Sequence, residues 1–123
     1  MKRVIEVKLP KPLPSAANLR EHWTVRARRV KAQRVLVAMH MMFARVAPLA
    51  TLVATFKSTR VTCTLTRIAP RRLDSDNLSG AFKSIRDEVA KQVGLDDGSL
   101  RWWWTYAQEV GPPAYRIELE VTP

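Results

Sequence analysis

The sequence predicts an α+β fold: a mixed four-stranded β-sheet packed with two main helices, in the order β-α-β-α-β-β, as a single domain over residues 1–123. Three observations predict it. Apolar and polar residues alternate with period two in four separated segments, as half-buried strands require. Two stretches between those segments carry either an unbroken run of helix formers or a 3.6-residue apolar period. A length of 123 residues supports one core rather than two.

Residues 3–9 read as the first strand, with Ile5, Val7 and Leu9 on one side and Glu6 and Lys8 on the other. The segment PKPLPSAAN that follows must be loop, because proline brings no amide N–H to a ladder. From His22 to Val46 there is neither Gly nor Pro, which predicts one long helix. Its first half is basic (Arg26, Arg28, Arg29, Lys31, Arg34) and its second half apolar (Val35, Leu36, Met39, Met42, Phe43, Val46). Pro48 ends that helix or follows its end, and residues 49–56 are apolar without a decisive period. In 59–67, Val61, Cys63 and Leu65 alternate with Thr62, Thr64 and Thr66, a β-branched strand that puts Cys63 in the core. A second helix is expected over 76–93, with Leu78, Phe82, Ile85, Val89 and Val93 on one face. Asp76 is its natural N-cap and Gly94 its natural C′ residue. DDG then turns the chain into a strand over 99–109, with Leu100, Trp102, Trp104 and Tyr106 on one side and Trp103 on the other. GPP makes another turn, and 115–121 close the chain with Tyr115, Ile117, Leu119 and Val121 facing in.

A formal net charge of +10 makes a polyanion, nucleic acid above all, the expected partner. The single cysteine excludes an internal disulfide and a Cys-rich metal site. The most apolar segment, Val35 to Val46, is interrupted by His40 and Arg45 and is too short to span a bilayer. No cleavage signal precedes the first strand, so no membrane partner and a reducing, cytoplasmic compartment are the expectation.

Against that charge, the stretch from Arg71 to Gly98 holds six of the eleven acidic residues: Asp74, Asp76, Asp87, Glu88, Asp96 and Asp97. On one continuous helix at 100° per residue, Lys83 falls about 20° short of Asp76 and Asp87 about 20° past it. Asp76, Lys83 and Asp87 would then form a stripe opposite the apolar face. Taken singly, each acid is what a helix N-terminus, a solvated helix face or a turn ordinarily carries. Taken together, in a chain built to bind polyanions, they make sense if a divalent cation lies between them and a phosphate. Mg²⁺ suits such a place, because it takes hard oxygen ligands, often only one or two carboxylates plus waters and substrate phosphate.

At these residues the sequence resembles the RusA family of endodeoxyribonucleases, the Holliday junction resolvases often carried by phages and prophages. The resemblance lies in DSDNL (74–78), FKSIRDEV (82–89) and GLDDG (94–98), with PLPSAANLREHW (12–23) similar to the family's Pro-rich segment. It covers most of the chain in element order and is most specific over 71–98. It implies a Mg²⁺-dependent nuclease, homodimeric, that cuts two opposed strands of a four-way DNA junction in recombination and repair. Residue by residue, it implies Asp74, Asp76 and Asp97 as metal-binding carboxylates, Lys83 as the catalytic lysine and Asp87 as an acid supporting the site. The residues themselves leave open whether Asp96 or Asp97 is the ligand. The chain departs from some members, which place the lysine four residues after the second Asp, where this sequence has Gly80. A homodimer also matches the two-fold demand of cutting opposed strands.

The remaining expectations concern DNA contacts. Arg26, Arg28, Arg29, Lys31 and Arg34 are expected on phosphates along a junction arm, where they would position the protein without reading sequence. Arg67, Arg71 and Arg72 flank the acidic loop and would draw phosphate toward the metal; Asn18 and Arg20 are further expected contacts. Trp102 and Trp104 are expected in the core or a dimer interface, and Trp103 is the wedge candidate. Two other functions fit the same residues. One is a non-catalytic basic protein that binds DNA or RNA, such as a phage regulator, whose acids only cap and turn. The other is a nuclease for other branched DNA, such as forks or flaps.

Overall fold

The chain runs β1 (Lys2–Lys8), α1 (Trp23–Phe43), α2 (Ala47–Thr55), β2 (Arg60–Ala69), α3 (Ser75–Ala81), α4 (Lys83–Val93), β3 (Trp102–Val110) and β4 (Ala114–Thr122) in a computed structural model that describes residues 1–15 and 22–123. The strands form one mixed sheet in the order β1-β4-β2-β3. β2 and β3 are parallel; β4 is antiparallel to both β1 and β2. The fold is therefore α+β, as the alternation of periods predicts.

Register places one residue of every strand pair on a common face. Ile5 lies opposite Ile117, Leu65 opposite both Ile117 and Tyr106, and Cys63 opposite Leu119 and Trp104. This face is the buried one. It joins Val37 and Met41 of α1, Leu49 and Val53 of α2, and Phe82, Ile85, Val89 and Val93 in a single core. Cys63 is part of it, and burial pushes its thiol far above the ordinary range, so it is an inert core group. The other face of the sheet is polar. There Arg116 donates to both carboxylate oxygens of Glu109, at 2.8 and 3.0 Å, and Thr62, Thr64 and Thr105 stand around the exposed Trp103.

The helices differ from the sequence expectation in two places. The long helix expected over His22–Val46 ends at Phe43, and Arg45 takes a left-handed φ of 58°. A separate helix, α2, then leaves at 87° to α1. Pro48 does not terminate a helix but sits in the first turn of α2, where its missing N–H has no intrahelical partner to lose. The apolar run 49–56 is thus mostly helical, with Leu49 and Val53 inward at i, i+4 spacing.

The helix expected over 76–93 is likewise two helices, broken at Phe82. Phe82 leaves helical geometry (φ −95°, ψ 2°) with its ring buried between Tyr106 and, edge-on, Tyr115. Asp74, not Asp76, takes the N-cap position of α3, and its carboxylate makes no capping hydrogen bond. Gly94 closes α4 at φ 80°, the left-handed conformation expected of it. Leu100, expected on the inward face of a strand, is fully exposed because residues 99–101 form a turn before β3 begins at Trp102.

One tight passage explains a sequence signal. GPP carries the chain from β3 over the end of β2 to β4, and a Cβ at Gly111 would lie 3.1 Å from the Ile68 side chain. Among the described residues no single helix is long and apolar enough to cross a membrane.

Candidate active site

The inward row of β3 continues past the core as Trp104, Tyr106 and Gln108, and each of these ties down a segment that carries acids. Gln108 holds the loop that delivers Asp74. Its Nε2 donates to the Leu73 carbonyl and its Oε1 accepts from the Leu73 amide, both at 2.8 Å, so one side chain closes both polar groups of that backbone unit. Beside it in register is Arg67. Arg67 donates at 2.8 Å to the carbonyl of Leu13 and at 2.8 Å to that of Arg71. It therefore joins the proline loop to the acidic loop. The expectation that Arg67 meets phosphate needs correcting: the residue is 6% exposed and its guanidinium bonds backbone carbonyls. Arg71 and Arg72, on the loop itself, are exposed as expected.

Trp104 and Tyr106 hold the other acids. The indole of Trp104 donates to the Asp97 carbonyl at 3.1 Å, and that of Trp102 donates to the Leu95 carbonyl at 3.0 Å. The two rings stack at 4.2 Å, which makes this pair structural rather than a platform for bases. Arg86 of α4 lies over the Trp104 ring at 4.6 Å and donates to Tyr106 Oη at 3.0 Å and to the Asp97 carbonyl at 3.3 Å. Its Nε stands 3.7 Å from Asp97 Oδ2. The sequence reasoning missed Arg86. A signal was present: four residues after Phe82, it flanks the apolar stripe of the helix, where a cation needs a partner.

Two cavities meet at Asp87. One, of about 220 Å³, is lined by Arg26, Arg29, Gln33, Lys83, Ser84 and Asp87, with Pro14, Val30, Gly80 and Ala81 completing its wall. Ser84 donates to Gln33 across its floor. The other, of about 340 Å³, is lined by Asp87, Lys91, Asp96 and Asp97 with Ala90, Gly94 and Leu95. The structure thus brings Lys83 and Asp87 together with Arg26 and Arg29, and Asp87 together with Asp96 and Asp97. It does not bring Asp74 or Asp76 into either cavity; both are exposed at the start of α3. The stripe Asp76–Lys83–Asp87 fails as a single stripe because the break at Phe82 resets the angular count; only Lys83 and Asp87, both within α4, keep their relation.

The α1 cations divide by face. Arg26 and Arg29 line the cavity with Lys83, whereas Arg28 is exposed away from it and Lys31 lines a groove with Arg34 and Glu88. Arg34 donates at 3.0 Å to Glu88, a buried carboxylate that also accepts from Gln92 at 2.7 Å. Burial alone would raise the Glu88 carboxyl, but the hydrogen bonds from Gln92 and Arg34 and the Arg34 charge outweigh it and hold the group below its ordinary value. Asn18 and Arg20 lie outside the described residues.

The donors are of the right chemistry for Mg²⁺, since Asp74, Asp76, Asp96 and Asp97 offer hard oxygens and Mg²⁺ needs only one or two carboxylates. Among the described residues, however, no three of His, Cys, Asp and Glu gather into a group that could hold a metal. In comparison with known proteins, no family model matches the chain and no curated protein matches it in sequence.

Proposed function

We propose that the chain is a Mg²⁺-dependent endodeoxyribonuclease acting on branched DNA, with the four-way junction as its substrate and a homodimer as its working form. One observation carries this reading: the inward row of β3 fastens the Asp74 loop through Gln108, α4 through Tyr106 and the Asp96–Asp97 turn through Trp104. A protein that used these acids only as caps and turns would have no need to tie all three segments to one strand. Asp74 supports this, since it occupies an N-cap position without capping.

The resemblance assigns the ion to Asp74, Asp76 and Asp97, which do not gather into one group among the described residues; Mg²⁺ would need only one or two of them, with waters and substrate phosphate completing its shell. Bound there, Mg²⁺ would supply Lewis-acid polarisation of the scissile phosphate and make water a better nucleophile near neutral pH. Lys83 would offset the charge that grows on the phosphate oxygens in the transition state. Asp87, one turn along α4, would hold its ammonium in place. Arg26 and Arg29, in the same cavity, would position the phosphate, with Arg28, Lys31, Arg71 and Arg72 on the flanking backbone. A reducing, cytoplasmic compartment goes with this reading and with the buried, free Cys63.

A second reading is favoured by one observation, the absence of a three-carboxylate group among the described residues. It is a non-catalytic basic protein that binds nucleic acid through the same cations. Incubation with four-way junctions, forks and flaps, in Mg²⁺ and in EDTA, separates the readings. Paired nicks in the junction that need Mg²⁺ support the nuclease; stable binding with no nicking in either buffer supports the second reading. Faster cutting of forks or flaps would keep the nuclease and change its substrate.

A further inference from the structure

The C-terminal half of α1 leaves an apolar stripe uncovered. Val35, Met39, Met42 and Phe43 are 51%, 47%, 68% and 73% exposed, while Val37 and Met41 of the same helix are buried. At 100° per residue the four span an arc of about 100° on the side away from the core. Beside them, where α1 meets α2, runs a groove of about 460 Å³ lined by Met39, Met41, Met42 and Val46 with Gln92. From Val35 to Phe43 there is no Lys, Arg, Asp or Glu, in a chain that carries 21 Lys and Arg.

We propose that this stripe is where a second copy of the chain docks, α1 against α1 across a two-fold axis. The inference rests on the dimeric nuclease reading for its purpose, but charge and shape select the occupant. A contiguous apolar surface of this kind marks an interaction site rather than a solvated helix face. The stripe and the groove lie side by side on one helix, as an isologous contact needs, since each copy must present both the projection and the recess. Two chains of net charge +10 repel through most of their surfaces, and this face is free of charge. Arg28 and Lys31 share its side of the helix but sit in the other half. With the axis near Met39, an antiparallel pairing sets the two Lys31 residues about 24 Å apart along the helices and the two Arg28 residues about 33 Å, about three Debye lengths or more at physiological salt. An acidic partner would be drawn to that cationic half and would leave the uncharged half bare. Trp103, 65% exposed, is another large apolar group at the surface, but Thr62, Thr64 and Thr105 surround it and offer no contiguous apolar area.

Sedimentation equilibrium on the full chain tests this without DNA or Mg²⁺, so the result does not depend on nuclease activity. The expected mass is twice 14.0 kDa. In M39E/M42E the dimer dissociation constant should rise at least about 100-fold, since carboxylates would be buried without partners. Its circular dichroism and cooperative melt should be retained, and W103S should leave the dimer intact. M39S/M42S should weaken the dimer in the same direction and serves if the acidic variant does not fold. A wild-type monomer at every concentration, dimers unchanged in both stripe variants, or dissociation by W103S alone would overturn the proposal. So would monomers that float with anionic vesicles through Met39 and Met42, which would make the stripe a membrane face. A monomer that cuts junctions removes this proposal only; a stripe-dependent dimer that cuts nothing removes the nuclease reading only.

Discussion

Gln108 and Glu88 show how single side chains set the frame of the site. Gln108→Leu keeps the shape of the side chain and removes both bonds to Leu73. It should cost about 1–2 kcal/mol in denaturant unfolding. Junction cleavage should fall more than tenfold with junction affinity unchanged; equal loss of both would make Gln108 merely structural. Glu88 gives a pH prediction. Its folded carboxyl is held below the ordinary value of 4.5, so its contribution is complete above that pH and is lost as pH falls through the lower folded value. Glu88→Gln should flatten the acid limb of the melting temperature below that point, and an acid limb identical to wild type would contradict the assignment. Some of this was legible and some was not. Alternation puts Arg67 in the same inward row as Val61, Cys63 and Leu65, so its burial was readable from parity alone. The targets of the Trp102 and Trp104 indoles were not, because the Leu95 and Asp97 carbonyls reach those rings only through the turn that folds α4 back onto β3.

At the scale of elements, strands were legible and helix breaks were not. Period two survives where a strand has one buried and one more solvated face, as in β4 and the first half of β2, and the predicted residues there are the buried ones. Phe82 fits the 3.6-residue period of its helix and yet interrupts it, since tertiary packing on Tyr106 and Tyr115 decides its geometry. That break separates Asp76 from Lys83, which no count along a single wheel can show. Phe82→Ala should destabilise the fold by about 3–5 kcal/mol, measured by chemical unfolding. The α1–α2 corner carries its own test. Arg45 holds a left-handed backbone without being glycine, so Arg45→Gly should stabilise by about 1 kcal/mol in a thermal or denaturant melt. A loss of stability there would mean that the Arg45 side chain is held by a compensating interaction. Replacing Arg26, Arg28 and Lys31 by Ala should lower the slope of log affinity against log salt by about 0.9 for each phosphate that these cations neutralise. An unchanged slope would remove the α1 cations from the DNA surface.

Among the described residues the helices share one core with one face of the sheet, and the charges are sorted. Arg26 and Arg29 face Lys83 and Asp87 in one cavity, and Asp96 and Asp97 line the next. The acids of a chain with net charge +10 are therefore not scattered against its cations but held beside them by β3. That arrangement makes sense if phosphate and a divalent ion meet there, and the nuclease reading holds that they meet in order to cut. The most direct measurement is single-turnover cleavage of a four-way junction in Mg²⁺ by the wild-type chain and by Asp76→Asn, with junction binding followed in the same samples. The nuclease reading predicts paired nicks by the wild type, none in EDTA, and a loss of at least about 100-fold in Asp76→Asn with binding retained. Cleavage by Asp76→Asn at the wild-type rate, or binding by the wild type with no nicking in Mg²⁺, would contradict it.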